Sequence, residues 1–431
     1  LTAVAPTAQR SRVAAARGGR AAAEAWQLRL VTVLVVLLVL TQRIGIPVAG
    51  QVTSLAIPLA YGFVALSLTR RLLVISRLRA GVLTVAVSAC LLTTATVSYL
   101  GTNSRFSLSS LALLVTLYIP WVLRARQPHG AALVRRAGLA FVWTMLALAV
   151  TGVAQLALQL IGVWDWEDYL QQIVPTDYIV PGYNFDNELA YGIGIYKATS
   201  FVLLEPSFLS QFCALAILIG IMLRVRTWQL LVLAGGLASA VSGTGLVLLA
   251  AGALLLMVRA PGRLRIGYVL VGAVVPVLVL QSPIGQFLLD RQAEITTPGT
   301  SGDARFVAPY EAAWNGLTED PTRFFFGAGP GSVERVIPGD RITVNGTDVL
   351  YSVIPKLGFE YGILAGGLVA LFLLLAMLDR APWRVVPGAL VVMVFLLSGA
   401  LLQPQTVYLA WLLSGIGAAS RLADPGPTQK G

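Results

Sequence analysis

Phe201-Val202-Leu203-Leu204-Glu205-Pro206-Ser207-Phe208-Leu209-Ser210-Gln211-Phe212-Cys213-Ala214-Leu215-Ala216-Ile217-Leu218-Ile219-Gly220-Ile221-Met222-Leu223 is an apolar run of helical length with a single charge in it. Beyond Gln211 it has no polar face, so a helix made from it must be surrounded by protein or by lipid. Lipid cannot satisfy backbone polar groups, which leaves a helix or a closed barrel. A barrel needs alternation, and the unbroken Leu, Ile and Ala residues exclude it.

Working outward, similar runs occupy 28–41, 47–68, 81–100, 106–123, 137–162, 228–242, 245–258, 264–281, 355–378, 385–402 and 404–420. The chain is 57% hydrophobic, 12% charged and has a mean hydropathy of +0.78 over 431 residues, beyond the range of a soluble domain of this size. The expected fold is an all-α polytopic membrane protein with about twelve transmembrane helices. Its expected divisions are a basic tail at 1–27, a transmembrane domain at 28–420 and a second tail at 421–431. The first run is short for a span, so a cleaved signal peptide competes with a kinked pair turning near Pro47.

The net charge of +11 is informative through its placement. Arg10, Arg12, Arg17 and Arg20, with Arg29 at its very start, flank the first run; Arg70/Arg71, Arg124/Arg126, Arg224/Arg226, Arg259/Arg263/Arg265 and Arg380/Arg384 flank later ones. With the amino terminus inside, every basic connection falls on the cytoplasmic side, as the positive-inside rule requires, and both termini are cytoplasmic. No basic stripe with interleaved aromatics exists on a soluble stretch, which argues against nucleic acid. Cys90 and Cys213 lie in apolar runs and His129, the single histidine, in an arginine-rich connection. A histidine-based catalyst or zinc site on the outer face is therefore excluded, and no cofactor is expected.

Two connections are long enough to have a task, 163–200 and 282–354, and both are expected on the outer side. The first is acidic and aromatic, with Lys197 its one base; the second holds Arg291, Arg305, Arg323, Arg335 and Arg341 among acids. In the second, Val307, Tyr310, Trp314 and Leu317 recur at helical spacing, with Asp303 placed to cap and Arg305 and Glu311 off the stripe. That pattern predicts an amphipathic helix on the membrane surface. Gly327-Ala328-Gly329-Pro330-Gly331 then predicts a turn where backbone approaches closely, or simply a re-entrant bend.

Glu205 is counted as the one ionisable group interior to a span, where it costs about 2–4 kcal/mol unless paired or hydrated. A functional pocket is the default reading and a structural hydrogen bond the plain one. Ser207, Ser210 and Gln211 form a polar stripe beside it, and Gln155 and Gln159, near the outer end of the fifth span, are expected to line the same pocket, open to the outer side. Lys197 sits two turns outward if the helix extends that far, lining the same pocket or snorkelling to the interface. Guanidinium groups suit pyrophosphate through paired, charge-assisted hydrogen bonds, although most surface arginines only meet neighbouring acids.

Four stretches then combine. Lys197-Ala198-Thr199-Ser200-Phe201 leads to Glu205-Pro206-Ser207, Ser239 to Gly245 is rich in Ser, Thr and Gly, Asp303-Ala304-Arg305 runs through Trp314 to Gly331, and Tyr351 runs through Glu360-Tyr361-Gly362 to Gly366. Their order resembles the O-antigen ligase and polymerase superfamily, polytopic GT-C-like glycosyltransferases acting on polyprenyl-pyrophosphate-linked sugars. Two features depart from it. Tyr351-Ser352 stands where ligases of the family carry His-Asn, and Lys197 stands where the family has arginine.

The resemblance therefore implies a metal-independent polymerase of O-antigen, exopolysaccharide or capsule repeat units in the cell (inner or plasma) membrane. Its partners would be the polyprenyl-pyrophosphate-linked glycan and the bilayer, with a chain-length regulator and a flippase as further possibilities. Arg305 would neutralise the leaving pyrophosphate with Lys197, Arg291 and Arg323, and Glu205, Asp303 or Glu311 would be the base, Glu205 being favoured. Asp303, Glu311, Trp314, Gly327, Gly329 and Tyr351 are candidate substrate contacts. Ligation of finished glycan, a twelve-span transporter or flippase, and a scaffold protein are the competing readings.

Overall fold

The computed structural model describes residues 25–48, 50–101, 106–126, 130–189, 192–270, 281, 306–336, 343–344, 347–348, 351–379, 381 and 383–417. Among the described residues, four helices are long and apolar enough to cross a membrane: α3 (Arg77–Leu100), α5 (Gly130–Leu160), α7 (Pro206–Leu223) and α12 (Val353–Leu378). Six shorter apolar helices accompany them: α1 (Ala25–Leu40), α2 (Ala56–Thr69), α4 (Leu108–Val122), α8 (Thr227–Ser239), α9 (Gly243–Arg259) and α13 (Val385–Leu397). The protein is thus mostly helical, with the character of a membrane protein.

The centre of the bundle is α7, whose residues are almost all buried, enclosed by α5, α8 and α9. Small residues make that closeness possible. A Cβ on Gly245 would fall 2.5 Å from the Ser210 carbonyl, and one on Gly236 would fall 2.5 Å from Ala149 Cβ. Such contacts are the usual means by which helices associate where no hydrophobic drive separates them from lipid. By contrast α3 leaves Val85, Leu91, Leu92 and Tyr99 exposed along its length, the pattern of a lipid-facing helix.

Several expected spans depart from regular helix. The runs 385–402 and 404–420 contain π-helical turns at Met393–Leu397 and Trp411–Gly415, and three others depart further. The 47–68 run begins as an antiparallel hairpin, β1 (Gly45–Val48) with β2 (Gln51–Ser54), turning at Gly50 with φ +80°, before α2 starts. The 201–223 run becomes helical only at Pro206, because Ser200 and Phe201 adopt left-handed φ of 54° and 63° and Pro206 sets the first helical position. In the 355–378 run the helix is interrupted at Gly362 (φ 68°, ψ 178°). Of the run 264–281, residues 271–280 lie outside the described residues, as do 1–24 and 418–431 of the two tails.

The helix ends sort into two groups. At one, β3 (Leu73–Ile75) pairs with β4 (Leu123–Ala125), Tyr268 donates to the Val225 carbonyl at 2.6 Å and Arg263 to the Met222 carbonyl at 3.3 Å. Arg79, fully buried, there meets Asp379 at 3.3 Å and the Gly415 carbonyl at 2.7 Å. The described residues of the arginine-rich connections gather at this end. The opposite end carries the β1–β2 hairpin, the loop 163–205 and the start of α12.

Candidate functional site

Glu205 is not inside a helix. It is the residue before α7, with extended backbone (φ −149°, ψ 162°), and is only half-buried. Ser207 Oγ donates to Glu205 Oε2 at 2.9 Å, and the Asn184 amide lies 3.5 Å from Oε1. Tyr183 adjoins the same carboxylate. Burial first, and then the Glu205 charge, push its phenol well above the ordinary value of 10, while a hydrogen bond with Gln403 opposes them. Tyr183 therefore stays protonated, a neutral group beside the carboxylate.

The chain approaching Glu205 is unwound and firmly held. Gln155 Oε1 accepts from the Thr199 and Ser200 amides at 3.1 and 2.9 Å, and Ser200 Oγ donates to the Leu148 carbonyl at 2.7 Å. Gln159 Oε1 accepts from the Tyr196 amide at 2.8 Å while its Nε2 reaches the Tyr196 carbonyl at 3.1 Å. Thus Gln155 and Gln159, expected as pocket lining, act as surrogate backbone partners for a segment that has no ladder of its own. Left-handed φ at two consecutive non-glycine residues costs about 1–3 kcal/mol each, and these bonds offset that strain.

Lys197 does not continue a helix outward from Glu205, because 196–205 is not helical. Neither is it a snorkelling anchor. Its side chain is 2% exposed and Nζ donates to Asn187 Oδ1 at 3.0 Å. Of the polar stripe, Ser207 serves Glu205, Ser210 donates to the Ser242 carbonyl at 2.9 Å, and Gln211 is buried.

A feature that sequence reading passed over underlies this loop. Arg43, just past the end of α1 and 5% exposed, makes a two-pronged ion pair with Asp168, one arm at 2.8 Å. Its Nη1 also donates to the Phe201 carbonyl at 3.1 Å, and its guanidinium lies 3.4 Å from the Phe185 ring centre. Around it, Trp166 stacks on Phe201 (9° between planes) and on Tyr196 (23°), and Trp164 stacks on Tyr169. An arginine isolated from the basic clusters, ahead of an acidic aromatic loop, was the available signal.

The second cluster forms where α12 breaks. Gly362 interrupts the ladder, and the carbonyls of Phe359 and Glu360 are taken by the amides of Ala328 and Gly329 at 2.8 and 2.9 Å. This is the close approach predicted for the glycine turn. A Cβ on Gly327 would lie 2.5 Å from the Glu360 carbonyl, and one on Gly362 2.3 Å from that of Phe325. The other side of the turn rests on α4, through the Ser107 amide donating to the Pro330 carbonyl at 2.7 Å. One turn before the break Lys356 meets Glu360 at 3.3 Å, both buried. Glu205 is therefore not the sole ionisable group in the expected spans. The run reads as apolar because its remaining residues keep the mean hydropathy high, and hydropathy takes no account of whether two charges pair one turn apart.

The predicted amphipathic helix is present as α10 (Ala308–Thr318), but its buried face differs from the expected stripe. Pro309 and Ala313 are buried, while Trp314 is 60% exposed and Glu311 also faces out. Gly316 sets this orientation, because it sits against Phe359, where a Cβ would fall 2.6 Å from the ring. Tyr351 packs onto the small apolar cluster of Ala313, Ala328, Val333 and Phe359, and Ser352 Oγ bonds Tyr310 Oη at 3.1 Å. Arg323, in α11 (Pro321–Phe326), reaches Glu319 at 3.3 Å and the Gly316 carbonyl at 3.4 Å. Arg291, Asp303 and Arg305 lie outside the described residues, and Arg305 directly precedes Phe306, which packs against the main core. Among the described residues no three metal-ligating side chains converge.

Searches against protein-family models and against curated proteins found no match to the chain.

Proposed function

We propose that the protein is a membrane glycosyltransferase that polymerises polyprenyl-pyrophosphate-linked repeat units at the outer face. The observation that best supports this is the setting of Glu205. It is a half-buried carboxylate fixed by Ser207 and Asn184 beside the neutral Tyr183, at the bundle end opposite the arginine-rich connections. A carboxylate so held can accept a proton from an acceptor hydroxyl without first reorganising. It is only half-buried, whereas Lys356 and Glu360 are buried.

In this reading about twelve spans place the basic connections in the cytoplasm. The acceptor sugar approaches Glu205, which takes the hydroxyl proton as the new glycosidic bond forms. The bond to the pyrophosphate breaks, and Arg305 stabilises the charge that grows there. Arg323 is a weaker assignment than the sequence suggested, since Glu319 and a carbonyl already engage it. Lys197 acts through its charge close behind the Glu205 segment.

The test is glycan length in a deletion strain complemented with Glu205→Gln or Arg305→Ala. Loss of long polymer, with single lipid-linked repeat units accumulating, is expected from both variants. Undiminished polymer from both would remove the site assignment. Finished polymer retained on its carrier would favour ligation instead.

One observation favours transport as a second reading: α12 is interrupted at Gly362 beside a buried ion pair, and discontinuous helices with intramembrane charge characterise transporters. Flux of lipid-linked sugar across proteoliposomes, with no polymer formed, would establish it.

A further inference from the structure

We infer that Arg43 is a positioning residue for Glu205, a latch that fixes the loop carrying the carboxylate to the end of α1. The inference rests on the proposed reaction only where activity is measured, and its structural part stands apart from it.

The argument begins with placement. Arg43 lies at the helix end away from the arginine-rich connections and is nearly inaccessible, so its charge has been removed from water. A buried guanidinium is tolerated only when its donors are matched, and here every partner comes from one loop: Asp168, the Phe185 ring and the Phe201 carbonyl. The Arg43 carbonyl itself accepts from the Val180 amide at 2.9 Å, and Ile44 bridges Ile179. Asp168 in turn caps the short helix Tyr169–Ile173, so the loop is pinned near its start, middle and end.

The contact with Phe201 is the consequential one. Ser200 and Phe201 form the left-handed turn that redirects the chain toward Glu205. On one side Gln155 and the Leu148 carbonyl hold Ser200; on the other Arg43 holds Phe201. From there the path is stiff. Leu203 donates back to the Thr199 carbonyl at 3.3 Å, and the Leu203 and Leu204 side chains are buried. Releasing Phe201 therefore lets the turn relax and moves Glu205 relative to Ser207 and Tyr183, with Arg43 acting through the Phe201 carbonyl and the loop.

The experiment compares Arg43→Gln, Arg43→Lys and Asp168→Asn in the full-length protein purified in detergent. Two rates are read by mass spectrometry: proteolysis within 163–195, and carbodiimide-driven coupling of glycine methyl ester to Glu205, with buried Glu360 as internal control. Arg43→Gln is expected to speed loop cleavage by about tenfold or more and to change Glu205 coupling severalfold. Arg43→Lys, which keeps the charge but not the fork, should recover part of both. If Arg43→Gln fails to fold, the other two variants carry the comparison.

Unchanged loop cleavage and unchanged Glu205 coupling in all folded variants would overturn the inference. So would faster loop cleavage with Glu205 coupling unaltered, since Arg43 would then only stabilise the loop. Glycan length separates this from the enzymatic reading. Should Arg43 variants alter Glu205 reactivity while Glu205→Gln and Arg305→Ala both leave polymer intact, the latch stands and the proposed site assignment falls.

Discussion

At Gly362 a single residue decides whether α12 can exist in its observed form. Its φ of 68° and ψ of 178° fall in a region open essentially to glycine alone, and Gly327, facing it, has φ 77° and ψ −173°. Gly362→Ala must both abandon that conformation and push against the Phe325 carbonyl, at a cost expected to exceed about 3 kcal/mol. Gly367, on the same helix with nothing within 4 Å, is the control. Thermal unfolding in detergent should show a large loss for Gly362→Ala and none for Gly367→Ala. Individual residues were unevenly legible. The glycine turn announced its close contact, whereas Arg43, Lys356 and Glu360 did not, because the meaning of a lone charge depends on a partner that can be far away in sequence.

For elements, hydropathy located the apolar helices well and their starts poorly. An apolar run says where burial is tolerated, but an unwound segment such as 197–200 is buried like a helix when neighbouring side chains satisfy its amides. The same ambiguity hid the β1–β2 hairpin inside an expected span. Gln155 is the residue that makes the unwound approach to α7 possible. Gln155→Leu removes the acceptor of two buried amides, each worth about 1–3 kcal/mol when orphaned. Hydrogen exchange at Thr199 and Ser200 should accelerate strongly in that variant, with exchange along α9 unchanged; equal protection would mean the segment is held by other means.

Across the whole molecule, charge placement carried the most information. Arginine clusters far apart in sequence converge on one bundle end, and both loop clusters, around Glu205 and around Gly362, lie at the other. The sidedness this implies is directly testable because Cys90 and Cys213 are fully buried and give little background. Cysteines introduced at Arg126 and at Asp177, both exposed, should label with an impermeant maleimide from opposite sides of the membrane, Asp177→Cys from outside. Labelling of both from the same side would defeat the outer-face mechanism.

The break in α12 also bears on how the chain assembles as it is made. Residues 328 and 329 leave the ribosome before 359 and 360, so the donors that will cap the two carbonyls exist before the carbonyls do. A span whose missing rungs are filled by an earlier segment can enter the bilayer without waiting for any later part of the protein. Its insertion depends instead on that earlier turn staying within reach, which ties the biogenesis of this helix to the loop ahead of it.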